Sequence, residues 1–167
     1  MKVLDQKLEY ELLSKANAHI EAGELDEAVR LCNRILNMNG DHPVALFILG
    51  HAMIVAERYG LAYNIFRRLT ELSPRRPQVW NNYGRCLQEL KRAEDSVGAF
   101  KTALKLQPDN SSALSNLGLT YINMGQQKKA IPYLEKALAI NPDMSEAKDN
   151  LGLAHLALGD WAKGWDG

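Results

Sequence analysis

Three asparagines, Asn82, Asn116 and Asn150, recur at intervals of 34 residues in stretches that read as helix, the first of them "WNNYGRCLQEL". Asparagine is a mediocre helix former because its side chain competes with the backbone for hydrogen bonds, so its repeated use needs a reason. An amide side chain donates and accepts, as a peptide group does. A row of such amides could hold a polypeptide backbone largely regardless of its sequence. It could equally tie neighbouring helices together, and both readings stand at this point.

Other residue types that do chemistry are present without a constellation. Cys32 and Cys86 fall in apolar-periodic segments, which suits reduced, buried thiols better than a disulfide framework. His19, His42, His51 and His155 have no carboxylate or second histidine at a metal-ligand spacing, so no metal site is expected. There is no Gly-rich phosphate loop after a strand, no HExxH, no paired-cysteine zinc spacing and no nucleophile elbow. Neither an enzyme nor a cofactor is implied by this chain.

Composition narrows the partners. Twenty Lys and Arg balance twenty Asp and Glu in 167 residues, so no overall field draws the chain to nucleic acid or to an anionic membrane. No apolar run approaches 18 residues and the N-terminal stretch "MKVLDQKLEYELL" lacks signal-peptide features. A cytoplasmic location is the resulting expectation.

The elements that position the asparagines share their period. "ALFILGHAM" at Ala45, "VWNNYGRCL" at Val79, "ALSNLGLTY" at Ala113 and "AKDNLGLAH" at Ala147 align in steps of 34, and so do Pro74, Pro108 and Pro142. Gly50, Gly84, Gly118 and Gly152 recur mid-helix, at a cost of about 0.5–1 kcal/mol each relative to alanine. That cost makes sense where a second helix must approach closely, with Ala28, Ala62 and Ala130 as its small partners. Gly23, Gly125 and Gly159 stand where a left-handed residue would end the first helix of each unit. Glu57 and Lys91 replace them in two units, whose turns should be strained or differently shaped. Pro132 lies inside a second helix, where a slight kink is expected.

This pattern resembles the tetratricopeptide repeat family, whose 34-residue signature runs W-x2-L-G-x2-Y, then A-x3-F, then P. The resemblance implies four complete repeats, 9–42, 43–76, 77–110 and 111–144, and a partial fifth, 145–167, in one domain. The fold class is then all-α, a right-handed α-solenoid of stacked helix-turn-helix units. Repeat one matches least well, as a terminal, capping unit should. The aromatics Trp80, Tyr83, Phe66, Phe100 and Tyr121 all occupy signature packing positions, which argues against a stacking platform.

At 100° per residue, positions 2, 6, 9 and 13 of each first helix face away from the packing positions 4, 7, 8 and 11. In the family the former set lines the concave groove. The groove residues implied are Asn82, Asn116, Asn150, Arg85, His51, Gln78, Glu89 and Asn123, with Asn81 turned towards the edge. The asparagine row is similar to the ladder in the superhelix of O-linked N-acetylglucosamine transferase. Chaperone-binding members grip a terminal carboxylate with several cations, whereas here Arg85 stands alone, so that partner class is disfavoured.

The function implied is a non-catalytic interaction module for protein or peptide in extended conformation. Its alternative is a self-assembling scaffold that oligomerises through solenoid ends or convex faces. The run from Trp161 to Trp165, W-x-x-G-W, resembles repeats that precede a glycosyltransferase domain in bacterial and phage proteins. What that resemblance implies is a substrate-recognition arm forming the N-terminal part of a longer protein.

Overall fold

The computed structural model describes residues 6–161, and Trp165 lies outside them. Among the described residues the secondary structure is helical throughout. The chain divides into two units, Met1–Pro74 and Arg75–Gly167. The first unit holds α1 (Gln6–Glu21), α2 (Leu25–Leu36), α3 (Pro43–Val55) and α4 (Tyr59–Leu72). The second holds α5 (Pro77–Glu89), α6 (Ala93–Leu106), α7 (Ser111–Asn123), α8 (Gln127–Ile140) and α9 (Ser145–Ala157). Helices pair in hairpins, α1 with α2, α3 with α4, α5 with α6 and α7 with α8. This is the all-α, helix-turn-helix repeat fold of the solenoid class. No described helix is long and apolar enough to cross a membrane.

Three of the hairpins, α3 with α4, α5 with α6 and α7 with α8, close on a mid-helix glycine. A Cβ on Gly50 would stand 2.8 Å from the Phe66 ring, one on Gly84 2.6 Å from the Phe100 ring, and one on Gly118 2.6 Å from Leu134 Cγ. The close approach expected from the sequence is therefore present, but its partner differs. The side chains seated on the glycines are large ones, four residues after the alanines. Ala28, Ala62 and Ala130 are fully buried elsewhere in the interfaces. In the third repeat Ser96 takes the alanine's place, and its buried hydroxyl donates to the Ala93 carbonyl at 2.8 Å.

The five turns that end the first helices, α1, α3, α5, α7 and α9, use one hydrogen-bond pattern. Residue 58 donates to the Met53 carbonyl at 2.8 Å and residue 57 to the Ile54 carbonyl at 3.0 Å. The same pair recurs at Arg92/Lys91, Glu24/Gly23, Gln126/Gly125 and Asp160/Gly159, the Schellman closure. Glu57 and Lys91 accordingly adopt φ of 56° and 60°, beside 77°, 70° and 81° for the three glycines. The two non-glycine turns are strained, as expected, but not differently shaped. The backbone bonds and the packing of both helices outweigh a left-handed cost of about 1–2 kcal/mol.

The first unit's core gathers Leu12, Ile35 and Ala45, with Leu8 and Leu31 against them. His42 caps α3 there: its Nδ1 accepts from the Ala45 N–H at 3.1 Å. Nε2 therefore carries the hydrogen and donates it to Glu9 of α1 at 3.0 Å. In the second unit Phe100, Leu114, Leu117, Leu134 and Ala147 form the core. Asn110 caps α7 by accepting from the Ala113 N–H at 3.0 Å, and α8 runs from Gln127 to Ile140 with Pro132 inside it.

Candidate functional site: a polar groove in the second unit

The first helices of the second unit line an open cavity of about 420 Å³. Asn81, Arg85, Gln88 and Glu89 come from α5, Ser112, Ser115, Asn116 and Leu119 from α7, and Glu146 and Asn150 from α9, with Met144 at its cap. On α5 these are residues i, i+4, i+7 and i+8, one helical face. The track is diagonal. It takes α5 from its middle to its C-terminal end, α7 over its N-terminal and central turns, and α9 at its N-terminal turns.

Asn116 Nδ2 donates to Asn81 Oδ1 at 3.1 Å, joining α5 to α7. Among the described residues this bond leaves the NH2 of Asn81 and the carbonyl oxygen of Asn116 for a ligand, with Asn150 next in the row on α9. The row of amides is thus present, but its member on α5 is Asn81. Asn82 is 9% exposed, buried within its helix's packing, and does not line the cavity. The bonded pair is 35 residues apart, one more than the repeat of 34, so the bond joins non-equivalent positions of α5 and α7. Asn81 and Asn82 point about 100° apart around their own helix, and it is Asn81 that meets Asn116.

Of the groove residues named from the sequence, Asn116, Asn150, Arg85 and Glu89 come together in this cavity. Gln78 and Asn123 are exposed and lie off the track, at the N-terminal end of α5 and the C-terminal end of α7. His51 stands half-buried on α3 in the first unit. Sequence reasoning missed Asn81, Gln88, Met144 and Glu146 as groove residues. A diagonal track was the missing information, since it admits late positions on α5 and early ones on α9.

Arg85 is the cavity's cation, and Glu89 and Glu146 are its two carboxylates. The next residue, Cys86, points into the core. Burial pushes its thiol up to about 12, against a smaller opposing pull from the Arg85 charge. Burial likewise raises Cys32 to about 11, so both thiols are inert at neutral pH. Among the described residues no group of His, Cys, Asp and Glu is placed to hold a metal ion. The site can offer hydrogen bonds and charge, which is chemistry for recognition.

The tetratricopeptide repeat family model matches residues 75–143. The model for anaphase-promoting complex, cyclosome, subunit 3 matches residues 21–103. No curated protein matches the sequence. Among solved structures, the pilF protein of Pseudomonas aeruginosa is similar with a TM-score of 0.85 at 21% identity, over 96% of this chain and 73% of that one. A thermophilic tetratricopeptide protein of Thermus thermophilus gives 0.80 at 22%, over 95% and 87%. YrrB, described as a tetratricopeptide protein with an unusual peptide-binding site, gives 0.73 at 18%, over 93% and 80%. At these identities the likeness is one of fold. Together the matches support the tetratricopeptide repeat family.

Proposed function

We propose that this tetratricopeptide repeat chain is a non-catalytic protein-interaction module that holds an extended polypeptide in the polar groove of its second unit. Proteins of this repeat type are interaction modules, and YrrB carries a peptide-binding site on the same fold. The observation that carries the reading is the amide row: Asn81 bonded to Asn116, with Asn150 beside them, along an open groove. Packed helices lie about 8–10 Å apart and an extended chain advances about 3.3 Å per residue. One amide then meets about every third peptide unit. Three such bonds at about 0.5–1.5 kcal/mol each barely offset an association cost of at least about 4 kcal/mol. Binding is weak and gains from tethering or a longer array.

An array of unrelated synthetic peptides tests this. Replacing Asn81, Asn116 and Asn150 together by alanine should weaken retained spots by at least about tenfold, while Asn82→Ala leaves their pattern unchanged. If the triple variant holds the same spots with the same affinity, the groove is not the binding site.

A second reading has its own support at the end of the second unit. Trp161 is 69% exposed and Leu153 55% exposed, apolar surface suited to stacking on another copy. Light scattering across a concentration series decides it, since a strict monomer removes self-assembly. The finer placement, as the recognition arm of a glycosyltransferase, rests on the W-x-x-G-W run, whose second tryptophan lies outside the described residues. Reading the coding sequence past Gly167 tests it directly.

A further inference from the structure

We infer that the groove of the second unit reads charge order: its ligand is a polyproline II segment with an acidic side chain at Arg85, an apolar one over Leu119 and a basic one at Glu146. This rests on the peptide-binding reading above and adds the chemistry of the partner.

The starting observation is a half-buried arginine without an ion pair among the described residues; Arg34, Arg58, Arg67 and Arg75 show none either, but they are exposed. Arg30, Arg68 and Arg92 each hold a carboxylate, at 2.6 Å from Glu27, 2.8 Å from Asp41 and 2.6 Å from Asp95. Arg85 has Glu89 one turn further along the same face, yet forms no ion pair among the described residues, and it stands half-buried in the cavity. Glu89 is exposed at the last turn of α5, so water and salt screen its competition for a ligand's charge. A half-buried guanidinium is screened less and suits a carboxylate in bidentate geometry.

Glu146 occupies the opposite end of the diagonal track, in the first turn of α9, with no side-chain partner among the described residues. It is exposed, as Glu89 is, so its pull on a ligand's cation is the screened, weaker end of the pair. Between the two ends Leu119 supplies the apolar side chain of the cavity's middle helix. Opposite charges therefore stand on the first and third helices, with an apolar step on the second.

Polyproline II rises about 3.1 Å per residue with three residues per turn, so one face recurs about every 9 Å. That matches the spacing of packed helices, about 8–10 Å. Residues at 0, +3 and +6 of such a segment would address α5, α7 and α9 in turn. A β-strand alternates faces every second residue, about 7 Å apart, and falls out of step with the helices. The polyproline II backbone is also free of internal hydrogen bonds, which leaves its carbonyls and N–H groups to Asn81, Asn116 and Asn150.

The experiment uses the full chain and three labelled, proline-rich peptides read by fluorescence anisotropy. One carries Asp, Leu and Lys at steps of three, one has the same residues in reverse order, and one has Gln at both charged places. In the unaltered protein one charged order should bind at least about tenfold tighter than the neutral peptide. In the charge-swapped variant Arg85→Glu with Glu146→Lys the preference should pass to the other order, a gain that misfolding cannot imitate. Equal binding of neutral and charged peptides, or a preference unmoved by the swap, overturns the charge order. If the neutral peptide is still lost on replacing the three asparagines, the groove reading survives that failure. If all three peptides bind the triple-asparagine variant unchanged, the groove reading falls with it.

Discussion

The two units build first helices on the same plan and turn very different faces outward. In the first unit α3 carries no Asp, Glu, Lys or Arg, and Val44, Phe47, His51 and Val55 follow one another along one side. Val44 and Val55 are 39% and 46% exposed. In the second unit the corresponding side of α5 offers Asn81, Arg85, Gln88 and Glu89. Yet both helices bury a glycine against a phenylalanine, and both end in a left-handed residue that is not glycine. Position 6 is buried in both as well, as Ile48 at 3% and Asn82 at 9% exposure. Two separate sets of residues therefore share each helix, one fixing the hairpin and one free to choose a partner.

The strongest way to break that division is to attack the shared set. Phe66→Ala and Phe100→Ala should each cost about 3–5 kcal/mol, with hydrogen exchange showing the loss confined to the unit that carries the substitution. Equal loss of protection in both units would mean that the halves do not stand on separate hairpins. A smaller cost follows from filling the seat: Gly84→Ala should destabilise by about 1–3 kcal/mol, because its Cβ would meet the Phe100 ring at 2.6 Å. Adding Phe100→Leu should restore part of that loss in urea denaturation, since the ring is what the methyl strikes.

Below these come the turns. Glu57→Gly and Lys91→Gly should each stabilise by up to about 1 kcal/mol, since relief of a left-handed cost of about 1–2 kcal/mol exceeds glycine's added chain entropy of about 0.5–1 kcal/mol. Thermal melts should show equal gains, given the near-equal φ of 56° and 60°. The smallest effect concerns Cys32 and Cys86. Burial holds both as neutral thiols, pushed up to about 11 and about 12 from an ordinary 9.0. Unfolding lowers both towards that ordinary value, so labelling by a thiol reagent at pH 8 should be negligible in the native protein and complete in denaturant. Rapid native labelling of one cysteine would reveal a unit that opens locally.

What could be read from the sequence and what could not follow the same division. Glycines and prolines at a fixed separation of 34 announce hairpins because the packing they serve repeats with the chain. Which asparagine faces the groove does not follow from that count. Asn82 is held in the packing of its own helix, and Asn81, one residue earlier, is the one that meets Asn116. The diagonal run of the cavity likewise brought in Glu146 and Gln88 and left out Gln78 and Asn123. Glu57 and Lys91 show the opposite limit. Their side chains argue for a different turn, and the hydrogen bonds around them hold the common one.

Those turns also make the hairpin a cassette. The bonds that close each turn span at most five residues, and every glycine seat described is filled from its own helix pair. A 34-residue segment therefore carries its internal geometry with it when copied. Duplicating residues 111–144 in frame would insert another Asn116 and another Leu119 between the two charged ends. The groove would lengthen by one helix, and the separation of charges demanded of its ligand would grow by about three residues.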